Sequence, residues 1–213
     1  MSGLTLVIGN KNYSSWSLRP WLALRQAGAP FTEAFITLRQ PETRARILSY
    51  SGAGRVPVLI NGEVTVWESL AICEYVAELF PEAGLWPDDR EARAICRSVA
   101  TEMHSGFAEL RQALPMDYRA SLPLPELSEA VADDIARIHA VWRMARRRFG
   151  AGGPFLFGRF SVADAMYAPV VTRFNTYGVP RDEVIQAYCD AILGLPAMRD
   201  WLEAARTEPA LAQ

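Results

Sequence analysis

Two short motifs in the first third of the chain have residue types and spacing that suit a small ligand site. Val56-Pro57 opens the apolar run 58–60, and Glu68-Ser69 begins eleven residues after Pro57. Because proline has no N–H to give to a sheet, it fits the entrance of a strand, where the preceding backbone is left unpaired. A cis bond before Pro57 would turn the N–H and C=O of Val56 outward.

The second motif lies where a predicted strand gives way to a predicted helix. The run 64–67, Val-Thr-Val-Trp, delivers Glu68 and Ser69 to a helix start. An acid and a hydroxyl there can cap the helix, or they can hold a ligand beside the unpaired N–H groups. Together with the free backbone of Val56, they suit a small peptide that carries both an amine and a carboxylate.

A cluster of serines precedes the first predicted helix and could stabilise a bound thiolate. A hydroxyl that donates to sulfur favours thiolate over thiol, and the positive end of a helix adds to this effect. Ser17 is expected to cap the helix, with Pro20 in its first turn. Ser14 and Ser15 precede that cap, so we rank Ser14 first and Ser15 second as the stabilising group, with Tyr13 a weaker third candidate.

The first eighty residues alternate between strand and helix signals, in the order βαβαββα that is typical of a thioredoxin-like domain. The expected elements are strand 4–8, helix 17–28, strand 31–38, one short helix within 41–54, strands at 58–60 and 64–67, and helix 68–80. Two prolines and a glycine in the following residues predict a linker at 81–87, which Leu85 and Trp86 should dock against the protein.

Strand signals nearly vanish beyond the linker. Apolar residues every three or four positions predict one long helix through residues 95–114, a second through 127–149, and three shorter helices at 161–176, 182–192 and 196–205. The predicted fold class is therefore α/β plus all-α. A thioredoxin-like domain spans residues 1–80, and a C-terminal helical bundle spans residues 88–213.

Composition narrows the functional classes. The 213 residues are half apolar, and 22 basic side chains nearly balance 24 acidic ones, so no nucleic-acid partner is indicated. No apolar run is long enough for a membrane span, and no secretion signal is seen at the N-terminus. Cys73, Cys96 and Cys189 are far apart, which suggests reduced thiols in the cytoplasm. No metal is expected, because the cysteines and the two histidines lack ligand spacing.

Taken together, the motifs resemble the glutathione transferase superfamily over essentially the whole chain. The motif Ser-Ser-x-Ser-x-Arg at 14–19 is similar to the zeta class, which carries a cysteine where this chain has Trp16. The sequence Ser161-Val162-Ala163-Asp164 resembles the capping box of the superfamily's core helix, so we assign Asp164 to folding.

The resemblance implies that glutathione is the cosubstrate. Its cysteinyl backbone would pair with Val56-Pro57, its γ-glutamyl end would bind Glu68 and Ser69, and Trp16 would contact it as well. Weaker candidates for its glycyl carboxylate are Gln40 and Arg55.

The implied function is conjugation of the glutathione thiolate to a small, largely apolar electrophile in a detoxifying homodimer. The electrophile would lie near Trp16, Met103, His104 and Phe107. Three alternatives stay open: zeta-type cis–trans isomerisation, against which Trp16 counts, a non-catalytic protein that keeps the fold to bind a partner, and a carrier of apolar molecules. A dithiol redox function is disfavoured, because no cysteine stands at the start of the first helix.

Overall fold

The computed structural model describes residues 3–209, so the extreme ends of the two predicted domains lie outside the described residues. Four strands form one mixed sheet in the order β2-β1-β3-β4. They are β1 (Leu4–Ile8), β2 (Phe31–Phe35), β3 (Val58–Asn61) and β4 (Val64–Trp67). β1 runs parallel to β2 and antiparallel to β3, and β3 is antiparallel to β4. β2 ends three residues earlier than the sequence predicts.

Three helices accompany the sheet: α1 (Ser15–Gln26), α2 (Thr43–Leu48) and α3 (Ser69–Leu79). The short helix expected within 41–54 is confirmed as α2. The expectation that Ser17 caps α1 is wrong, because the helix begins two residues earlier and Ser14 is its N-cap. The Ser17 hydroxyl instead accepts the N–H of Gly9 just after β1, at 3.1 Å. Ser17 therefore joins the helix to the end of the strand.

The segment after α3 is packed against the protein, as its two large apolar residues predict. A short 3₁₀ helix occupies Pro81–Ala83, and Leu85 is 2% exposed. The carbonyl of Leu85 accepts the N–H of Val162 at 2.9 Å, and the indole N–H of Trp86 donates to Glu74 at 2.8 Å. The exact domain division at this segment stays a prediction.

Six further helices follow in the rest of the described chain. It contains α4 (Arg90–Ser105), α5 (Ala108–Ala113), α6 (Glu129–Phe149), α7 (Val162–Tyr177), α8 (Glu183–Leu193) and α9 (Pro196–Thr207). The single long helix expected through 95–114 is wrong. α4 ends where Gly106 turns extended, and Phe107 adopts a left-handed conformation with φ of 58°. This break buries the Phe107 ring, which is 7% exposed. Burial of the ring offsets the strain of the left-handed backbone at this residue.

α7 lies at the centre of the helical half, since its residues are nearly all buried. The predicted capping box is confirmed: Asp164 accepts the N–H and the hydroxyl of Ser161, both at 2.8 Å. Burial raises the pKa of Asp164 to about 6. The ring of Trp142 on α6 packs against the rings of Tyr167 and Phe174 on α7.

Tryptophans also join the sheet-bearing half to the last helix. The rings of Trp21 on α1 and Trp201 on α9 meet edge to face at 4.9 Å between centroids. The indole N–H of Trp201 donates to the carbonyl of Lys11 at 2.7 Å, in the loop between β1 and α1. Both halves therefore hold this loop. Within residues 3–209 no helix has the length and apolar character to span a bilayer.

Candidate functional site

A cavity of about 270 Å³ lies where α1, the end of β4, the start of α3 and the end of α4 approach one another. Seven residues predicted from the sequence line it together. They are Trp16, Arg55, Val56, Pro57, Glu68, Ser69 and His104. Four separate stretches of chain thus converge at one place, which their sequence positions alone do not require.

The backbone before β3 is open to this cavity. The Val56–Pro57 bond is cis, and sheet pairing begins only at Val58. Among residues 3–209 neither the N–H nor the C=O of Val56 has a hydrogen-bond partner. Val56 therefore presents one free donor and one free acceptor, which is what an extended peptide needs to add itself to a strand.

Glu68 and Ser69 are not used as a helix cap. Glu68 occupies the N-cap position of α3 with φ of 68°, yet its carboxylate makes no capping hydrogen bond. Ser69 is 1% exposed, and its hydroxyl has no partner in the described part of the chain. Because an unsatisfied buried hydroxyl is costly, this residue is set up to bond a ligand group in the cavity.

His104 reaches the cavity from the end of α4. Its Nε2 lies 3.6 Å from Oε2 of Glu68, and its ring meets the edge of Trp16 at 5.5 Å between centroids. Burial and the nearby charge of Arg19 lower the pKa of His104, while Glu68 raises it. The imidazole is therefore mainly neutral at pH 7.

The two candidate serines stand at the start of α1 and differ in their partners. The Ser14 hydroxyl donates to Oγ of Ser17 at 2.7 Å and accepts the Ser17 N–H at 3.3 Å. Ser15 is the first residue of α1 and is 6% exposed, as is Ser14. Among the side-chain hydrogen bonds within residues 3–209, those of this turn join Ser14 to Ser17 and none involves the Ser15 hydroxyl. Of these two serines, Ser15 is the one whose hydroxyl can donate to a ligand without breaking a bond to another described residue.

Other predicted site residues lie away from the cavity lining. Met103 is fully buried in the core, and Phe107 packs against Tyr167 with 6.5 Å between ring centroids. The backbone N–H of Gln40 donates to Oγ1 of Thr43 at 2.9 Å. Neither Ser14 nor Ser15 is among the lining residues. Their assigned roles stay predictions.

Sequence reasoning missed two lining residues, Ala53 and Trp67. Trp67 is 53% exposed at the end of β4, and a tryptophan directly before the Glu-Ser motif was an available signal. Sequence reasoning also assigned no role to Arg19 or Arg111. Their guanidinium carbons lie 4.2 Å and 5.5 Å, respectively, from the centroid of the Trp16 ring.

Family models identify both halves of the chain. Residues 13–79 match the glutathione S-transferase N-terminal domain, and residues 128–204 match the glutathione S-transferase C-terminal domain. The two matches appear in the order and positions of the sheet-bearing half and the helical half. The chain therefore belongs to the glutathione S-transferase superfamily.

Individual relatives agree with this assignment. The chain is 32% identical to glutathione S-transferase 1 of Dianthus caryophyllus over 49% of this chain and 48% of that protein, about half the length of each. It is 28% identical to glutathione S-transferase F14 of Arabidopsis thaliana over 88% of this chain and 74% of that protein. The fold matches a glutathione-bound glutathione transferase homologue from Burkholderia at a TM-score of 0.72, with 22% identity, over 98% of this chain and all of that one.

Proposed function

We propose that this protein is a glutathione transferase, which conjugates the glutathione thiolate to a small, largely apolar electrophile. The observation that carries the proposal is the convergence on one cavity of three groups that can bind a peptide. These are the backbone of Val56, the carboxylate of Glu68 and the hydroxyl of Ser69. Membership of the superfamily and the glutathione bound to a structural neighbour support the same ligand.

Each part of glutathione has a chemically matched group in the cavity. The N–H and C=O of Val56 pair with the cysteinyl backbone. Glu68 binds the γ-glutamyl ammonium group, and the γ-glutamyl carboxylate accepts from the Ser69 hydroxyl and the free N–H groups that begin α3. Arg55, which also lines the cavity, is placed to bind the glycyl carboxylate, with Gln40 as a second candidate.

Thiol activation is assigned to the start of α1. The hydroxyl of Ser15 or Ser14 donates to the sulfur, and the positive end of the helix stabilises the thiolate further. The thiolate then forms a bond to carbon of the electrophile, while the leaving group takes the electron pair of the bond that breaks. The electrophile lies against Trp16 and His104, and Met103 and Phe107 support this wall from the core.

The proposal includes a homodimeric, cytoplasmic protein. Support for a dimer comes from exposed apolar side chains on β4, where Val64 is 46% exposed and Trp67 is 53% exposed. A reducing compartment such as the cytoplasm is supported by the state of the cysteines, because Cys73, Cys96 and Cys189 are buried free thiols that form no disulfide with one another.

The first experiment is a glutathione titration by calorimetry, with the ultraviolet absorbance of the bound thiolate followed across pH. We expect saturable binding and a thiol pKa below that of free glutathione. S-methylglutathione, which cannot ionise at sulfur, supplies the absorbance background. Binding without a lowered pKa would contradict thiol activation and favour a carrier, and no binding would overturn the proposal. Turnover of maleylacetone by the same protein would favour the isomerase alternative.

A further inference from the structure

Arg19, in the second turn of α1, is a buried cation without a hydrogen-bond partner in the described part of the chain. Its side chain is fully buried. Its Nε, Nη1 and Nη2 atoms have no hydrogen-bond partner among residues 3–209. A buried guanidinium normally pairs with carboxylates or carbonyls, because leaving its donors unsatisfied in a low-dielectric interior is strongly unfavourable. All three nitrogen atoms of this one are unused.

The charged surroundings of Arg19 increase this imbalance. Burial, followed by the positive charges of Arg173 and Arg111, lowers the pKa of Arg19 to about 9, so it still carries its charge at neutral pH. The groups that oppose this shift are Cys73 and Tyr167, and none of those acting on Arg19 is a carboxylate. Two other arginines therefore act on Arg19 and no carboxylate offsets them there, although the carboxylate of Asp134 acts on Arg111.

The two neighbouring arginines have structural partners, which Arg19 lacks. Arg173 donates through Nε to the carbonyl of Leu114 at 2.9 Å and through Nη1 to that of Pro169 at 3.2 Å. Arg111 donates to the carbonyls of Met103 and Gly106 near the break between α4 and α5. These carbonyls fix two arginines in place, and their positive charges act on the buried Arg19.

Trp16 connects this cluster to the glutathione cavity. The guanidinium carbon of Arg19 lies 4.2 Å from the centroid of the Trp16 ring, and Trp16 lines the cavity beside His104. The indole N–H of Trp16 makes no hydrogen bond to the part of the chain that the structure describes. The Trp16 ring therefore contacts the guanidinium of Arg19 and also lines the cavity, whereas Arg19 itself is not among the lining residues.

We propose that Arg19 is the anchor of an anion subsite next to the glutathione cavity, which takes a carboxylate of the electrophilic substrate. The carboxylate replaces the Trp16 indole against the guanidinium. Arginine presents a planar fork of donors that matches a carboxylate in bidentate geometry, and such charge-assisted bonds are stronger than stacking on a ring. This inference rests on the proposed transferase function and narrows its substrate class to acids.

The test compares an electrophile that carries a carboxylate with its uncharged ester. A chlorodinitrobenzoate and its methyl ester react alike: the glutathione thiolate bonds to the ring carbon, and chloride leaves with the bonding electron pair. Each kcat/KM is divided by the uncatalysed rate, which removes intrinsic reactivity. We expect wild-type protein to prefer the acid, and Arg19→Met to lower that preference about 10- to 100-fold, the loss of a hydrogen bond to a charged group.

Two further variants separate charge from folding. Arg25→Met removes an exposed arginine of the same helix, whose partner is Asp200, and should keep the preference for the acid. Arg19→Lys keeps the positive charge but lacks the planar pair of donors, so its preference for the acid over the ester should be intermediate. If Arg19→Met does not fold, the comparison of wild type with Arg19→Lys is the test. A preference that is equal in wild type, Arg19→Met and Arg19→Lys would overturn the inference.

A binding measurement distinguishes failure of this inference from failure of the proposed function. Benzoate is titrated calorimetrically into wild type, Arg19→Lys and Arg25→Met, with and without S-methylglutathione. We expect benzoate to bind wild type and Arg25→Met and to bind Arg19→Lys more weakly. Absence of benzoate binding to wild type would overturn the anion subsite even if glutathione is activated. If benzoate binds and glutathione does not, the anion subsite would be supported and the proposed transferase function would be refuted.

Discussion

The two serines at the start of α1 have the same residue type and exposure, but their hydroxyls are used differently. The Ser14 hydroxyl both donates to and accepts from Ser17, whereas the Ser15 hydroxyl takes part in no side-chain hydrogen bond within the described residues. A thiol that approaches Ser14 has to displace an existing hydrogen bond, and one that approaches Ser15 does not. The structure therefore favours Ser15 over Ser14, the reverse of the order that the sequence suggests.

We expect Ser15→Ala to raise the thiol pKa of bound glutathione by about 1 to 2 units, the equivalent of one hydrogen bond to a charged group. Ser14→Ala removes the N-cap of α1, so it should instead lower the free energy of unfolding by about 1 kcal/mol. Thiolate absorbance across pH and urea unfolding measure the two effects. A pKa that rises in Ser14→Ala but not in Ser15→Ala would return the role to Ser14.

The unpaired hydroxyl of Ser69 gives a separate prediction about affinity. Ser69→Ala should weaken glutathione binding about 10- to 100-fold, because a charge-assisted bond to the γ-glutamyl carboxylate is lost. It should leave the thiol pKa of the bound fraction unchanged, since Ser69 lies at the start of α3 and not at α1. Ser98→Ala is the control, as its exposed hydroxyl donates to the carbonyl of Ala94 on the same helix, α4. Equal affinity in wild type and Ser69→Ala would refute the assigned γ-glutamyl site.

At the scale of elements, the loop between β1 and α1 is held by the C-terminal end of the described chain. The Glu208 carboxylate accepts the N–H of Lys11 at 2.7 Å and that of Asn12 at 3.3 Å. Arg119 donates to the carbonyl of Glu208 at 2.9 Å, and its own N–H donates to the Asn12 side chain at 2.9 Å. The residues just before Ser14 thus owe their position to the helical half.

We expect Glu208→Gln to disturb this loop, because an amide has one acceptor oxygen where the carboxylate has two. The predicted result is a lower kcat with a nearly unchanged KM for glutathione, as the loop precedes the thiol-activating serines and not the residues that bind the peptide. Steady-state kinetics with a neutral electrophile measure the split. Glu203→Gln, on the exposed face of α9 with Arg206 as its partner, should behave as wild type. A rise in KM alone would contradict the positioning role.

The helix break at residue 106 shows where sequence reasoning fails. The apolar spacing through Ile95, Met103 and Leu110 continues across the break, because α4 and α5 face the same core. Periodicity therefore predicts the correct buried face but not the left-handed Phe107, which is decided by tertiary packing. Gly106 was the available signal for a helix end.

The site was predictable to the extent that its residues are adjacent in sequence. Val56-Pro57 and Glu68-Ser69 each form a local motif at a strand or helix end, and the chain between them is short. The lack of a partner for Arg19 was not predictable. It depends on which charges α5 and α7 place around α1, and a single sequence does not give that arrangement.

At the scale of the whole molecule, β4 is an edge strand of the sheet and carries exposed apolar side chains. Val64 and Trp67 are 46% and 53% exposed, and Leu79 at the end of α3 is 37% exposed. An edge of this kind invites pairing or covering by another chain. Since Trp67 also lines the glutathione cavity, we propose that a second copy of the chain covers this edge and that dimerisation shapes the cavity.

Trp67→Glu should therefore shift the protein toward monomer, because it places a charge in an interface that must bury roughly 1,000 Å² or more to be stable. Sedimentation velocity over a range of concentrations measures the shift, and glutathione affinity should fall with it. Phe35→Glu is the matched control: Phe35 is 40% exposed on β2, at the opposite edge of the sheet. A wild-type monomer would refute the homodimer. A dimer that survives Trp67→Glu but dissociates in Phe35→Glu would move the interface to the other edge and make the cavity complete within one chain.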